Sequence, residues 1–141
     1  MKITGCCLPY GESKYHAAVQ VGAFAHQDGM RVPLVHAFYA KDNPENVIGY
    51  CILHDTDEGV MCDIHFNEMY LKNHTINDAL CSRLKIGAWV VRVKKEPILN
   101  HELPSSKFGN TSIVTHGYIR AVAMNEYCLE NGAIERSEPD E

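Results

Sequence analysis

The stretch VIGYCILHDTDEGVMCDIHF, residues 47–66, decides the fold class. Two apolar arms, residues 47–54 and 60–66, flank the polar break Asp55-Thr56-Asp57-Glu58-Gly59. In the second arm Val60, Cys62, Ile64 and Phe66 alternate with Met61, Asp63 and His65. Side chains of a strand point alternately to its two faces, so a period of two is the signature of a half-buried strand. A short polar break ending in Gly then reads as a hairpin turn.

The same texture extends in both directions. Residues 2–8 predict a first strand, ended by Pro9-Tyr10-Gly11. HAAVQVGAFA, residues 16–25, is a second apolar run, and Gln27-Asp28-Gly29 a turn. Residues 32–38 (VPLVHAF) predict a third strand, followed by the polar loop KDNPEN at 41–46. Beyond the hairpin, Ile76, Ala79, Leu80 and Leu84 fall on one side at helical spacing. Thr75 is the expected N-cap, with Asp78 three residues on approximating a capping box. Residues 86–94 (IGAWVVRVK) return to strand character, and 95–109, with two prolines, read as an extended connection. Residues 111–115 and 118–124 predict two last strands joined tightly through His116-Gly117. The acidic tail, from about residue 133, is expected to fray. The sum is a mostly β (α+β) chain: a closed or partly open antiparallel barrel of short strands with one or two helices.

Composition narrows the class. At 141 residues the chain is expected to form one domain, 1–141, with a core that needs neither metal nor disulfide. Hydrophobic residues are 45% and charged residues 22%, which argues against disorder. A net charge of −5 gives no basic surface for a nucleic-acid backbone. No apolar run reaches the length of a transmembrane helix, so no membrane partner is expected. The N-terminus MKITGCCLPYGESKY has no apolar core of signal-peptide length, so a cytoplasmic, reducing setting is expected for the six cysteines.

Those cysteines raise one metal reading. Cys51-Ile-Leu-His54 and Cys62-Asp-Ile-His65 are both C-x-x-H, and zinc sites use such short spacings. In a strand, however, residues i and i+3 point to opposite faces, so the members of each pair diverge. Buried free thiols are the favoured reading, with a zinc module on Cys51, His54, Cys62 and His65 as an alternative. Adjacent Cys6 and Cys7 cannot bridge without strain, and Cys81 and Cys128 carry no spacing signal. No cofactor is expected.

His36 ends an apolar strand. A catalytic imidazole needs a nucleophile beside it and a group to orient it. Ser82, Cys81 and Ser112 are candidates by type, but none lies in a recognisable nucleophile motif.

The order of segments adds a resemblance. ITGCCLPYGE, VGAF, VPLVHAF, NVIGYCILHDTDEGV, a helix running into LKIGA, and NTSIV follow one another over residues 2–124. This order resembles the prohead (capsid-maturation) serine proteases of tailed phages, which share the assemblin fold. The resemblance implies a prohead-protease-like barrel and three catalytic positions. His36 falls on the catalytic His. Lys85 stands where the family has its nucleophilic Ser. Asn110 stands where an acidic residue is expected. Serine attack needs a hydroxyl that imidazole can deprotonate, and lysine supplies an ammonium instead. Asparagine can orient an imidazole but cannot stabilise its positive charge as a carboxylate does.

The resemblance therefore implies a catalytically degenerate member: a phage capsid decoration or scaffold-type protein that binds the major capsid protein rather than cleaving it. It would be made in the host cytoplasm, reside in the virion capsid, and act as a homo-oligomer or in many copies on the shell. The alternative is an active maturation protease in which His36 works with Ser82 or Ser112. If the resemblance holds, Lys85 and His36 belong to one surface.

Overall fold

The computed structural model describes residues 2–12, 18–36, 46–98, 112–125 and 135–137. The hairpin at the centre of the sequence is also central in the sheet. Strand β4 (Val47–Asp55) pairs antiparallel with β5 (Gly59–Phe66), from Gly49 opposite Phe66 to Asp55 opposite Val60. Thr56 closes the turn: its hydroxyl donates to the Gly59 carbonyl at 2.8 Å and accepts from the Gly59 N–H at 3.2 Å. On the interior face lie Cys51, Leu53, Val60, Cys62 and Ile64, all buried. The alternation is that expected of the sequence.

Around this hairpin β1 (Lys2–Pro9) pairs antiparallel with β5, and β3 (Arg31–Val35) pairs antiparallel with β4. The long strand β7 (Ser112–Asn125) then continues the sheet beyond β3. One edge of β7 is covered by β6 (Lys85–Pro97), antiparallel. The other edge takes two short parallel partners in succession: β2 (Ala18–Val19) at Ile113 and Val114, and β3 at Val122 and Ala123. β8 (Glu135–Ser137) adds to the free side of β1. The described strands thus form one mostly antiparallel eight-stranded sheet, curled into an open half-barrel. Two short helices, α1 (Glu68–Asn73) and α2 (Asp78–Arg83), connect β5 to β6. Neither they nor the 3-10 turn at Ala25–Gln27 is long and apolar enough to cross a membrane.

The concave side carries the main core, with Phe24, Leu34, Leu53, Ile86, Ile119, Val122 and Met124 almost fully buried. A smaller cluster of Val35, Ala121 and Ala123 lies on the opposite face, with Trp89 against it and the Arg120 guanidinium 4.9 Å from the Trp89 ring centre.

Four expectations are corrected. The last two strands are one: β7 runs through His116-Gly117 without a turn, and Gly117 is not among the residues with positive φ. Its glycine serves close packing, since a Cβ there would lie 2.9 Å from the Phe24 ring. The apolar run 16–25 yields only the two-residue β2 among its described residues. Gly22, at φ 84°, turns the chain left-handed, and a 3-10 turn follows. The helical region is split, and α2 is capped by Asn77, whose side chain accepts from the Leu80 N–H at 2.9 Å, not by Thr75. Within the acidic tail, Glu135–Ser137 pairs with β1, whose outer edge would otherwise leave its backbone groups open. The connection at 99–109 and most of the loop at 41–46 lie outside the described residues.

Candidate functional site

The topology fixes where His36 and Lys85 stand. β3 runs parallel to β7 and ends at Val35, opposite Ala123. His36 follows at a bend, exposed. Its N–H donates to the Asn46 carbonyl at 2.8 Å, and its carbonyl accepts from the Asn125 side-chain amide, also at 2.8 Å. On the far side of β7, Lys85 opens β6 directly opposite Asn125, and it too is exposed. Asn125 therefore separates the two residues, one strand away from each. Strand spacing puts the His36 and Lys85 backbones about 10 Å apart.

Alternation assigns Lys85 to the outer face that also carries Ala123 and Val35, because facing residues of paired strands share a side. The end of the β3–β7–β6 strip thus carries His36, Asn125 and Lys85, with Lys85 on the outer face and His36 at the bend that follows Val35. Sequence reasoning singled out the first and third but missed Asn125. Its only local signal is being the polar residue that closes the run YIRAVAM. Asn110, the position implied by the resemblance, lies outside the described residues.

The candidate serines stand elsewhere. Ser82 is on α2, exposed, and its hydroxyl donates to the Ala79 carbonyl at 2.8 Å. Ser112 is the first residue of the 14-residue β7, paired with Pro97, whereas Asn125 is the last. Along the strand that separation is on the order of 40 Å. Ser112 therefore stands at the opposite end of β7 from His36, Ser82 lies three residues before Lys85 with its hydroxyl on the Ala79 carbonyl, and Cys81 is buried in the main core. At the His36 end, the His36, Asn125 and Lys85 side chains can donate hydrogen bonds, and lysine can attract an anion.

The C-x-x-H pairs separate as strand geometry dictates. Cys51 and Cys62 face the interior, while His54 and His65 face outward and are exposed. His54 contacts Asp63 at 2.9 Å, and His65 stacks on Tyr50 at 4.7 Å between ring centres. The Arg31 guanidinium lies 3.6 Å above the Tyr50 ring. Among the described residues no three His, Cys, Asp or Glu side chains converge as metal ligands.

The interior cysteines form a cluster of their own. Cys7, Cys51 and Cys62 are buried thiols, and Cys7 donates to the Val60 carbonyl at 3.4 Å. Cys62 donates to the Gly5 carbonyl at 3.5 Å, and Cys7 and Cys51 lie beside its sulfur. Contact with Cys62, with burial second, pushes the Cys7 and Cys51 thiols above the ordinary cysteine range. Contact with Cys51 and then Cys7 draws Cys62 the other way. Enclosed thiols of this kind pack as small apolar groups. Cys128 lies outside the described residues.

Two further polar groups position the site's frame. Gln27 is fully buried, its amide oxygen accepting from the Ile119 N–H at 2.6 Å and its nitrogen donating to the Ile119 carbonyl at 2.9 Å. It thereby acts as a strand partner for β7 in the gap between β2 and β3. Tyr10 donates its hydroxyl to Asp55 and accepts from the Phe24 N–H at 3.3 Å. Burial, then the bond to Asp55, raises its pKa beyond the ordinary tyrosine range.

Comparison with protein-family models, curated proteins and solved structures finds no match for this chain.

Proposed function

We propose that this chain is an assembly protein of a tailed-phage capsid, of decoration or scaffold type, built on a degenerate prohead-protease-like barrel. It binds the major capsid protein in many copies and does not cleave it. The observation that carries this reading is the end of β7, where exposed His36 and Lys85 flank Asn125 on neighbouring strands. The resemblance assigns these two residues to the family's His and nucleophilic Ser positions, and their standing on strands flanking one end of β7 supports the reading. The order of motifs along residues 2–124 supports the same reading. A lysine at that position leaves no acyl-accepting hydroxyl for His36 to activate. The surface that would hold a substrate chain in an active relative is then available for binding alone.

The test mixes the purified chain with assembled shells of the capsid protein encoded beside it. Sedimentation reads binding, and intact-mass spectrometry reads cleavage. Expected is co-sedimentation in many copies, with the capsid protein's mass unchanged and no fluorophosphonate adduct on the chain. Cleavage of the capsid protein that disappears in His36→Ala and in Ser82→Ala or Ser112→Ala would overturn the proposal in favour of an active protease. Failure to bind shells at all would overturn the assembly role.

A further inference from the structure

The long strand β6 has one partner. β7 covers one of its edges, and among the described residues no strand pairs with the other. Its outer half is open on both faces as well, since every residue from Arg92 to Pro97 is exposed, including Val93 at 41%. An edge of this kind presents alternate backbone N–H and C=O groups outward, ready to pair with another extended chain.

The side chains along the edge select what can pair there. Arg92, Lys94 and Lys95 fall within four positions, against the single acid Glu96, on a chain whose net charge is −5. Among the described residues neither lysine side chain holds an ion pair. Arg92 stands in the left-handed region at φ 55°, where a residue with a Cβ is disfavoured, and it marks a bulge at which Arg92 and Val93 are skipped between Val91 and Lys94. The bulge sets the Arg92 guanidinium 6.0 Å from the Tyr118 ring centre. Lysines and a bulge on an open edge oppose pairing with a second copy of this chain, because like charges would face each other. The same lysines attract an extended segment of opposite sign.

We infer that the free edge of β6 from Arg92 to Pro97 is a strand-addition site for an acidic, extended segment of a partner protein, with Lys94 and Lys95 as its charge-selecting residues. Backbone pairing gives such a site its affinity and the flanking side chains its specificity. A peptide is favoured over a nucleic acid because the outward backbone groups of the edge are those of a β-ladder, which an extended peptide backbone completes and a phosphate backbone does not. The inference rests on the fold alone and stands whether or not the partner is a capsid protein.

The experiment uses the full chain and synthetic peptides alternating valine with glutamate or valine with lysine. Binding is followed by fluorescence anisotropy and by hydrogen exchange of the β6 amides. The glutamate peptide is expected to bind, to slow exchange across residues 93–97, and to weaken as salt is raised. The double variant Lys94→Glu with Lys95→Glu, both exposed positions, is expected to bind it about tenfold or more weakly while keeping wild-type thermal stability. Equal binding of the lysine peptide would overturn the inference. So would protection of the same amides by single-stranded DNA in place of the glutamate peptide, by self-association, or by neither peptide.

Discussion

Gln27 shows how much one side chain can hold. β2 and β3 share an edge of β7 but leave Ile119 between them without a strand partner on that edge, and the Gln27 amide supplies both hydrogen bonds there. Removing it strands a buried N–H and a buried carbonyl, each costing about 1–3 kcal/mol. Gln27→Leu, close in volume but unable to bond, is therefore expected to lower unfolding free energy by about 2–5 kcal/mol in urea titrations. A loss below about 0.5 kcal/mol would show that water or another group takes over. The sequence gives little sign of this role, because a glutamine beside Asp28-Gly29 reads as a turn residue. Only its partner, 92 residues away, reveals it. Asn125 is hidden for the same reason: its bond to the His36 carbonyl spans 89 residues.

At the scale of elements, local alternation made the β4–β5 hairpin legible, since its pairing is between neighbours in sequence and one face is buried. The opposite-facing Cys and His of the C-x-x-H pairs follow from the same parity. The continuity of β7 is hidden in the sequence because a glycine looks alike whether it turns a chain or makes room for a ring. Gly117 does the second, with the Phe24 ring where its side chain would be. Gly117→Ala is expected to destabilise the fold by about 1–3 kcal/mol through overpacking. Adding Phe24→Leu should make the pair cost less than the sum of the singles, which a double-mutant cycle measures. Strict additivity would refute the contact as the reason for glycine. The helix caps were misplaced by two residues because Thr75 and Asn77 are both competent, and the choice depends on where the chain leaves α1.

The whole molecule is tied together where β1, β4 and the turn before β3 meet. Tyr10 donates to Asp55 there, and the Asp55 N–H donates to Asp28 at 2.9 Å. The raised pKa of Tyr10 has a direct consequence for stability. The folded state keeps the phenol proton where an unfolded tyrosine releases it, near pH 10. Its contribution is whole below that pH and is lost as pH rises further. Urea midpoints should therefore fall more steeply above about pH 10 in the wild type than in Tyr10→Phe. Parallel curves for the two proteins would contradict this link.

The half-barrel, and with it the placement of His36 and Lys85 at one end of the β3–β7–β6 strip, underlies the proposed capsid role. Quantitative mass spectrometry of purified mature phage particles encoding this chain tests that role most directly. The expected result is the intact chain, present in many copies per particle on the scale of the capsid protein. Its absence from mature particles, together with a processed capsid protein in them, would contradict the role and mark the chain as a maturation protease that leaves with its work done.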